Sequence, residues 1–254
     1  MSNIITPAIL IRRVDYGDYD LILTFLTRDK GKVSVLAKAA KKSVKRFGGI
    51  LELFYELEIV YPEKTKKGLP VLTEASLKQS FTDIRTDIMK TAYASYWAQL
   101  LHEWAEEGGA DENIFNLFRF VLKRLDQGAN TPGVLSVLFQ MRFLSLSGLC
   151  PNLSCCSACS SHLLETGPTP IRFDLKSGGL LCDCCAPKAQ GRDCLSRGTV
   201  KLLKWIETMD IEKAERVRFS EKSVVEAEDF LEAFLPYHVG KEPKSLKFLR
   251  KIRK

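Results

Sequence analysis

The chain has 254 residues, 45% hydrophobic and 27% charged, with a net charge of +7. That length builds a sizeable core in one or two domains, no apolar run is long enough to span a bilayer, and the start Met1-Ser2-Asn3-Ile4 lacks the basic and apolar segments of a signal peptide. Eight cysteines in a chain expected to stay in the reducing cytoplasm point to metal and free thiols, not disulfides.

The charge is unevenly spread. Residues 1–80 carry 14 Lys/Arg against 9 Asp/Glu, residues 81–240 carry 17 against 21, and residues 241–254 carry 7 against 1. A basic front, a mildly acidic body and a basic tail put any polyanion at the ends of the chain.

The front third reads as β. Ala8 to Val14 is an apolar run closed by the turn cluster Asp15-Tyr16-Gly17-Asp18. Leu21, Leu23 and Phe25 alternate with Ile22 and Thr24. The hairpin turn Asp29-Lys30-Gly31-Lys32 leads to Val33, Val35 and Ala37 on one face. Leu51, Leu53, Tyr55, Leu57, Ile59 and Tyr61 keep strict period 2, with Glu52, Glu56 and Glu58 opposite. After a loop with Lys64, Lys66 and Lys67, the residues Val71, Thr73, Ala75 and Leu77 predict a fifth strand. Five strands in about 80 residues is the size of an OB-type Greek-key barrel; an SH3-like barrel or small sandwich fits the same pattern.

Between the third and fourth strands, five of the nine residues from 38 to 46 are basic and none is acidic: Lys38, Lys41, Lys42, Lys45 and Arg46. Uncompensated cations on one loop repel each other, and a phosphate backbone relieves that repulsion while releasing counterions. The bland alternative is a solvated loop that keeps the domain soluble. Phe47 is the one aromatic close by, so the loop predicts phosphate contact better than base stacking.

From residue 82 the period becomes helical. Ile84, Ile88, Ala92, Tyr96, Leu100 and Trp104 recur at i, i+4 spacing up to Gly108-Gly109. Asp111 caps a second helix ending at Gly128, and Thr131-Pro132 opens a third that stops at Gly148. Short links predict an antiparallel three-helix bundle. Two more helices are expected over 200–209 and 223–234, and 243–254 reads as a short basic amphipathic helix. Its cations suit either a helix C-terminus or a DNA or protein partner.

The strongest chemical signal interrupts the helices at about 150–195. Cys156-Ser-Ala-Cys159 and Cys182-Asp-Cys-Cys185 stand 22 residues apart. A Cys-x-x-Cys pair aims two sulfurs at one point, and two such pairs supply the four ligands of a tetrahedral zinc ion. Cys155 and Cys184 are one-residue near misses, and His162 is close enough in sequence to replace a cysteine. Between the pairs, Ile171 to Asp174 and Gly178 to Leu181 predict a hairpin. The insert has few apolar residues of its own, so metal is expected to supply much of its folding energy.

Four-cysteine zinc leaves no open coordination position, and the patterns of a zinc deaminase, a His-Glu-x-x-His protease, a Walker A loop, a Gly-x-Gly-x-x-Gly fingerprint and a serine elbow are absent from the sequence. The reading is a binding protein and not an enzyme.

The run Tyr16-Gly17-Asp18-Tyr19-Asp20-Leu21-Ile22-Leu23-Thr24-Phe25-Leu26-Thr27, with Gly31-Lys32, resembles the N-terminal signature of bacterial RecO recombination mediators. So do Arg46-Phe47-Gly48-Gly49, Leu51-Glu52-Leu53-Phe54, Gly178-Gly179-Leu180-Leu181-Cys182 and Ser245-Leu246-Lys247-Phe248-Leu249-Arg250, in that order along the chain. The resemblance implies an α+β protein, with an OB DNA-binding domain over 1–80 and a helical domain over 81–254 that carries the zinc insert. It implies binding of single- and double-stranded DNA, annealing of complementary strands and, with RecR, loading of RecA onto strands coated by single-strand-binding protein, in the cytoplasm at the nucleoid. One departure is Ser160, where the family usually has glycine after the first Cys pair. The alternative is a zinc-stapled protein-interaction module of a transcription or replication assembly.

Overall fold

The computed structural model describes residues 2–64, 68–163, 170–186, 194–215 and 219–253, apart from the side chains of Val44, Lys45 and Glu215. Lys66 and Lys67 lie outside the described residues. The chain divides into two compact units, residues 1–129 together with 243–254, and residues 130–242.

The first unit begins with β1 (Asn3–Tyr16), β2 (Asp20–Thr27), β3 (Gly31–Ala37), the single turn α1 (Val44–Phe47), β4 (Glu56–Pro62) and β5 (Glu74–Gln79). They form an antiparallel sheet in the order β3-β2-β1-β4-β5. The long β1 serves two neighbours: its first half pairs with β4 and its second with β2, and its register shifts between Leu10 and Arg12. The alternating residues read from the sequence line one side. Leu21, Leu23 and Phe25 meet Val35, Ala37, Leu57, Ile59 and Tyr61 in the barrel core.

The two edges of the sheet meet at one place. Leu36 N–H donates to Pro70 O at 2.8 Å and Leu72 N–H donates to Leu36 O at 2.9 Å, a parallel bridge between β3 and the segment leading into β5. The result is a partly open barrel of the OB type.

Two expectations shift here. The strand predicted from Leu51 begins at Glu56, because the β1 irregularity takes the preceding residues into a turn. Phe54 N–H donates to Leu10 O (2.8 Å), Leu10 N–H donates to Tyr55 O (3.1 Å), and Phe54 adopts a φ of 71°. Leu51 and Tyr55 are still buried, but Leu53 is only half-buried and the out-of-phase Phe54 is 2% exposed, so over this turn the period-two pattern fails in burial as well as in extension. The last strand likewise begins at Glu74, its first predicted residues being used for the bridge to β3.

The helices α2 (Thr82–Thr86), α3 (Ile88–Trp104) and α4 (Glu112–Gln127) complete this part of the unit. The single helix expected from residue 82 is broken at Asp87, which sits in an extended conformation and accepts from the N–H groups of Met89 (2.8 Å) and Lys90 (3.1 Å). Ile88 is therefore a first-turn residue, 65% exposed, and not part of the apolar stripe. Asp111 caps α4 through Asn113 and Ile114, and Gly128 ends it at a φ of 65°, as predicted. The helix α3 covers the outer side of β1 and β2, where the paired residues Ile9 and Leu26 are buried.

The second unit holds α5 (Pro132–Leu146), β6 (Ile171–Asp174), β7 (Gly179–Leu181), β8 (Cys194–Leu195), α6 (Arg197–Thr208), α7 (Ile211–Glu215) and α8 (Glu221–Val239). The expected three-helix bundle is thus divided: α3 and α4 belong to one unit and α5 to the other. The reason lies in α5, which is apolar nearly all round and is buried against α6, α7 and α8. The final helix α9 (Lys244–Ile252) returns to the first unit. It buries Leu246 and Leu249 against α3, and Ser245 donates its N–H (3.0 Å) and hydroxyl (2.7 Å) to Gln99 Oε1. No helix among the described residues is long and apolar enough to cross a membrane.

Candidate nucleic-acid interface and metal centre

The basic loop follows directly from the β2–β3 register. Leu21 pairs with Ala37, so the chain after Ala37 must run beside the chain before Leu21, the turn between β1 and β2. Four contacts fasten the two together. Lys41 N–H donates to Tyr19 O at 3.1 Å, and Ala39 N–H donates to Asp20 Oδ1 at 2.7 Å. Lys41 Nζ lies 3.1 Å from Asp15 Oδ2, and Lys42 Nζ sits 3.4 Å from the centre of the Tyr19 ring. From the other end, α1 drops Phe47 into the barrel core, where it is 2% exposed. Arg46 donates to Lys38 O at 2.8 Å and holds the loop closed on itself.

Lys38, Lys41, Lys42 and Arg46 are all exposed on this loop, and the side chain of Lys45 lies outside the described residues. They do not form a uniform set. Lys41 is paired with Asp15, while the ammonium of Lys42 lies over the aromatic face of Tyr19. A loop pinned at both ends by backbone and core contacts loses little further entropy on binding a polyanion.

In the second unit, the four cysteines selected by the two-residue gap converge: the sulfurs of Cys156, Cys159, Cys182 and Cys185 all lie within 4.8 Å of one another. Local hydrogen bonds shape each knuckle. Ser160 N–H donates to Cys156 O (2.8 Å), and Cys185 N–H and Ala186 N–H donate to Cys182 O (3.1 and 2.8 Å). Ser160, which follows the first pair, takes a φ of 61°, a left-handed conformation that glycine adopts without cost. The near misses lie outside this four-sulfur group. Cys155 Sγ contacts the Asn152 side chain, Cys184 is exposed, and His162 is exposed and outside the four-sulfur group.

The knuckles ride on the predicted hairpin of β6 and β7. Asn152 N–H donates to Gly178 O, Leu180 N–H donates to Asn152 O, and Ser157 N–H donates to Leu180 O. The hairpin is seated on α8 by Phe173, whose ring meets Phe230 edge-on at 4.3 Å and Phe234 at 5.7 Å. Leu153, Leu163, Ile171, Leu180 and Leu195 are buried with it. The insert therefore has apolar support that its sparse composition did not suggest.

The electrostatics fit a cation. Burial opposes ionisation of Cys156, but the N–H groups of Cys182, Cys159 and Ala158 outweigh it and bring the thiol down to about 6. The Cys185 N–H likewise lowers Cys182. The sulfurs of Cys182 and Cys159 push Cys185 the other way, up to about 12. Sulfurs this close do not all ionise side by side, and a bound cation would hold all four as thiolates. The sulfur–sulfur edge of tetrahedral zinc thiolate, about 3.8 Å from a 2.3 Å bond, compares with 3.6 Å between Cys159 and Cys182. The donor set suits a soft or borderline ion held by four ligands, with a structural role.

Comparison with known proteins covers both units. Residues 1–81 match the domain model "Recombination protein O N terminal", and residues 85–247 match "Recombination protein O C terminal". The chain is similar over its whole length to the DNA repair protein RecO of Desulfatibacillum aliphaticivorans, 45% identical across 100% of this chain and 99% of the relative. The chain belongs to the RecO family. The RecO of Desulfosudis oleivorans is 39% identical across 100% and 99% of the two chains, and that of Shouchella clausii 27% across 97% and 94%. The basic loop falls within the RecO N-terminal match and the four cysteines within the RecO C-terminal match.

One feature of the RecO barrel escaped sequence reasoning. Tyr16 and Tyr19 stand beside the basic loop and are 55% and 46% exposed, whereas Phe47 is buried. The signal was present in the hairpin register: pairing outward from Thr27 and Gly31 brings residue 37 opposite 21, and with it the loop against the tyrosines.

Proposed function

We propose that this protein is a DNA repair and recombination mediator that acts by binding and performs no covalent chemistry of its own. It binds single- and double-stranded DNA and anneals complementary strands. With RecR it promotes loading of RecA onto single strands coated by single-strand-binding protein, in the cytoplasm at the nucleoid. The observation that carries this reading is the match to both RecO domain models along one chain.

Supporting it, the acid-free loop over 38–46 offers phosphate contacts from Lys38, Lys41, Lys42, Lys45 and Arg46 on an OB-type barrel. In this reading residues 1–80 are the DNA-binding domain and 81–254 the helical domain. Cys156, Cys159, Cys182 and Cys185 hold one structural zinc ion, which supplies rigidity and no reactivity.

The test is annealing. The pure protein, without nucleotide, should accelerate pairing of complementary single strands and leave both strands chemically unaltered. Pairing no faster than in its absence would overturn the proposal.

A further inference from the structure

We propose that Tyr16 and Tyr19 form a base-stacking platform beside the basic loop, giving this barrel a preference for unpaired nucleic acid over duplex. The inference rests on the loop being a phosphate-binding surface, the reading given under the proposed function.

The two tyrosines flank the turn between β1 and β2, where Gly17 at a φ of 58° reverses the chain. Both residues are about half exposed on a barrel whose other aromatic side chains, Phe25 and Tyr61 among them, are buried. Exposed aromatic rings beside cations are what a single strand needs. The cations take its phosphates while its bases, free of partners, stack on the rings. In a duplex the base faces are already occupied, so a ring gains nothing there.

Turn and loop are one surface because Lys41 and Ala39 bond to the turn backbone and to Asp20, and Lys41 and Lys42 reach Asp15 and Tyr19. The carboxylates nearest the site are partly consumed in making it. Asp15 pairs with Lys41 and Asp20 accepts from Ala39 N–H, which leaves Asp18 as the remaining acid of the turn. The ammonium of Lys42 rests 3.4 Å from the Tyr19 ring centre. A base that stacks on Tyr19 takes the face opposite Lys42 or displaces it, and in both cases the charge stays within reach of the same nucleotide's phosphate.

The experiment compares binding of the full chain to an oligothymidylate, to an abasic single strand of equal length and to a duplex. The wild-type protein should favour the oligothymidylate over the abasic strand by about tenfold. Changing both Tyr16→Ala and Tyr19→Ala should bring that ratio to about one, and changing both to Phe should keep it, because the ring alone stacks. A double-alanine variant that still favours the oligothymidylate by the wild-type ratio would overturn the platform. If such a variant retains the preference while a Lys38→Ala, Lys42→Ala, Arg46→Ala variant binds all three ligands more weakly, the DNA-binding reading stands and the platform falls. If the wild-type protein binds none of the three, both fall together.

Discussion

The sulfurs of Cys159 and Cys182, 23 residues apart in the chain, stand 3.6 Å from each other. That distance closes a four-sulfur site, and it yields the first prediction. Freshly reduced protein should contain about one zinc ion per chain. Cys156→Ala or Cys182→Ala should abolish it, and Cys155→Ala or Cys184→Ala should leave it in place. Elemental analysis of the purified variants checks both halves. Because Phe173 anchors the hairpin on α8, the metal-free variants should keep their helical circular dichroism while the amides around Cys156 and Cys185 lose protection from exchange.

The basic loop carries the second prediction. Replacing Lys38, Lys42 and Arg46 together with Ala should weaken binding uniformly across sequences. The slope of log affinity against log salt for a single strand should fall by about 2, at about 0.7 for each phosphate that is no longer neutralised. Lys41→Ala should act differently, since it removes the partner of Asp15 and frees a carboxylate at the surface. A salt slope unchanged in the triple variant would remove the loop from the interface.

How much of this was legible follows from the kind of pattern each feature writes into the chain. The strands of the barrel show as period two because one face is buried, and the residues so marked do line the core. The same code failed over Leu51–Tyr55, where the chain turns beside the irregular β1 and buries Phe54 out of phase with Leu51 and Tyr55. The cysteine spacing is local and was readable. The Phe173 contact with Phe230 joins residues 57 positions apart and left no local trace. The helix break at Asp87 was visible in principle, as an Asp inside an apolar run, but i, i+4 counting passes over a single cap. The split of the expected bundle depends on α5 being apolar all round, which periodicity cannot assign to one neighbour.

Phe173 supplies the third prediction. It is 6% exposed and meets two phenylalanines of α8. Phe173→Ala should destabilise the second unit by about 3 kcal/mol. Denaturant unfolding followed by helical circular dichroism measures it, and a loss below about 1 kcal/mol would mean that the hairpin is not seated on α8 as described.

Ser160 supplies the fourth. A left-handed φ costs a side-chain-bearing residue about 1–2 kcal/mol, partly offset by the greater unfolded-chain freedom of glycine, about 0.5–1 kcal/mol. Ser160→Gly should therefore stabilise the first knuckle by about 0.5 kcal/mol and slow transfer of the metal to a competing chelator. Faster transfer would show that the Ser160 side chain contributes something its backbone conformation does not reveal.

The last prediction concerns a cap assembled from two helices. Ser196 caps α6 by accepting from Thr199 N–H at 3.2 Å, and Glu226 of α8 completes the arrangement. Its Oε2 accepts from the Ser196 N–H at 3.0 Å and from the Thr199 hydroxyl at 2.6 Å, so one carboxylate serves the start of α6 from a neighbouring helix. Burial opposes the charge of Glu226, but the Thr199 hydroxyl and Ser196 N–H outweigh it and hold the carboxyl below its usual range. A depressed folded-state pKa means that the stabilisation is fully present above the unfolded value, about 4.3, and is lost as pH falls through the lower folded value. Glu226→Gln should cost about 1 kcal/mol at neutral pH. The gap between variant and wild type should narrow on acidification below about pH 4, as the wild-type carboxylate itself takes up a proton. Denaturant midpoints of both proteins across that range provide the measurement. A gap that stays constant or widens toward acid would show that the Glu226 charge does not tie α6 to α8.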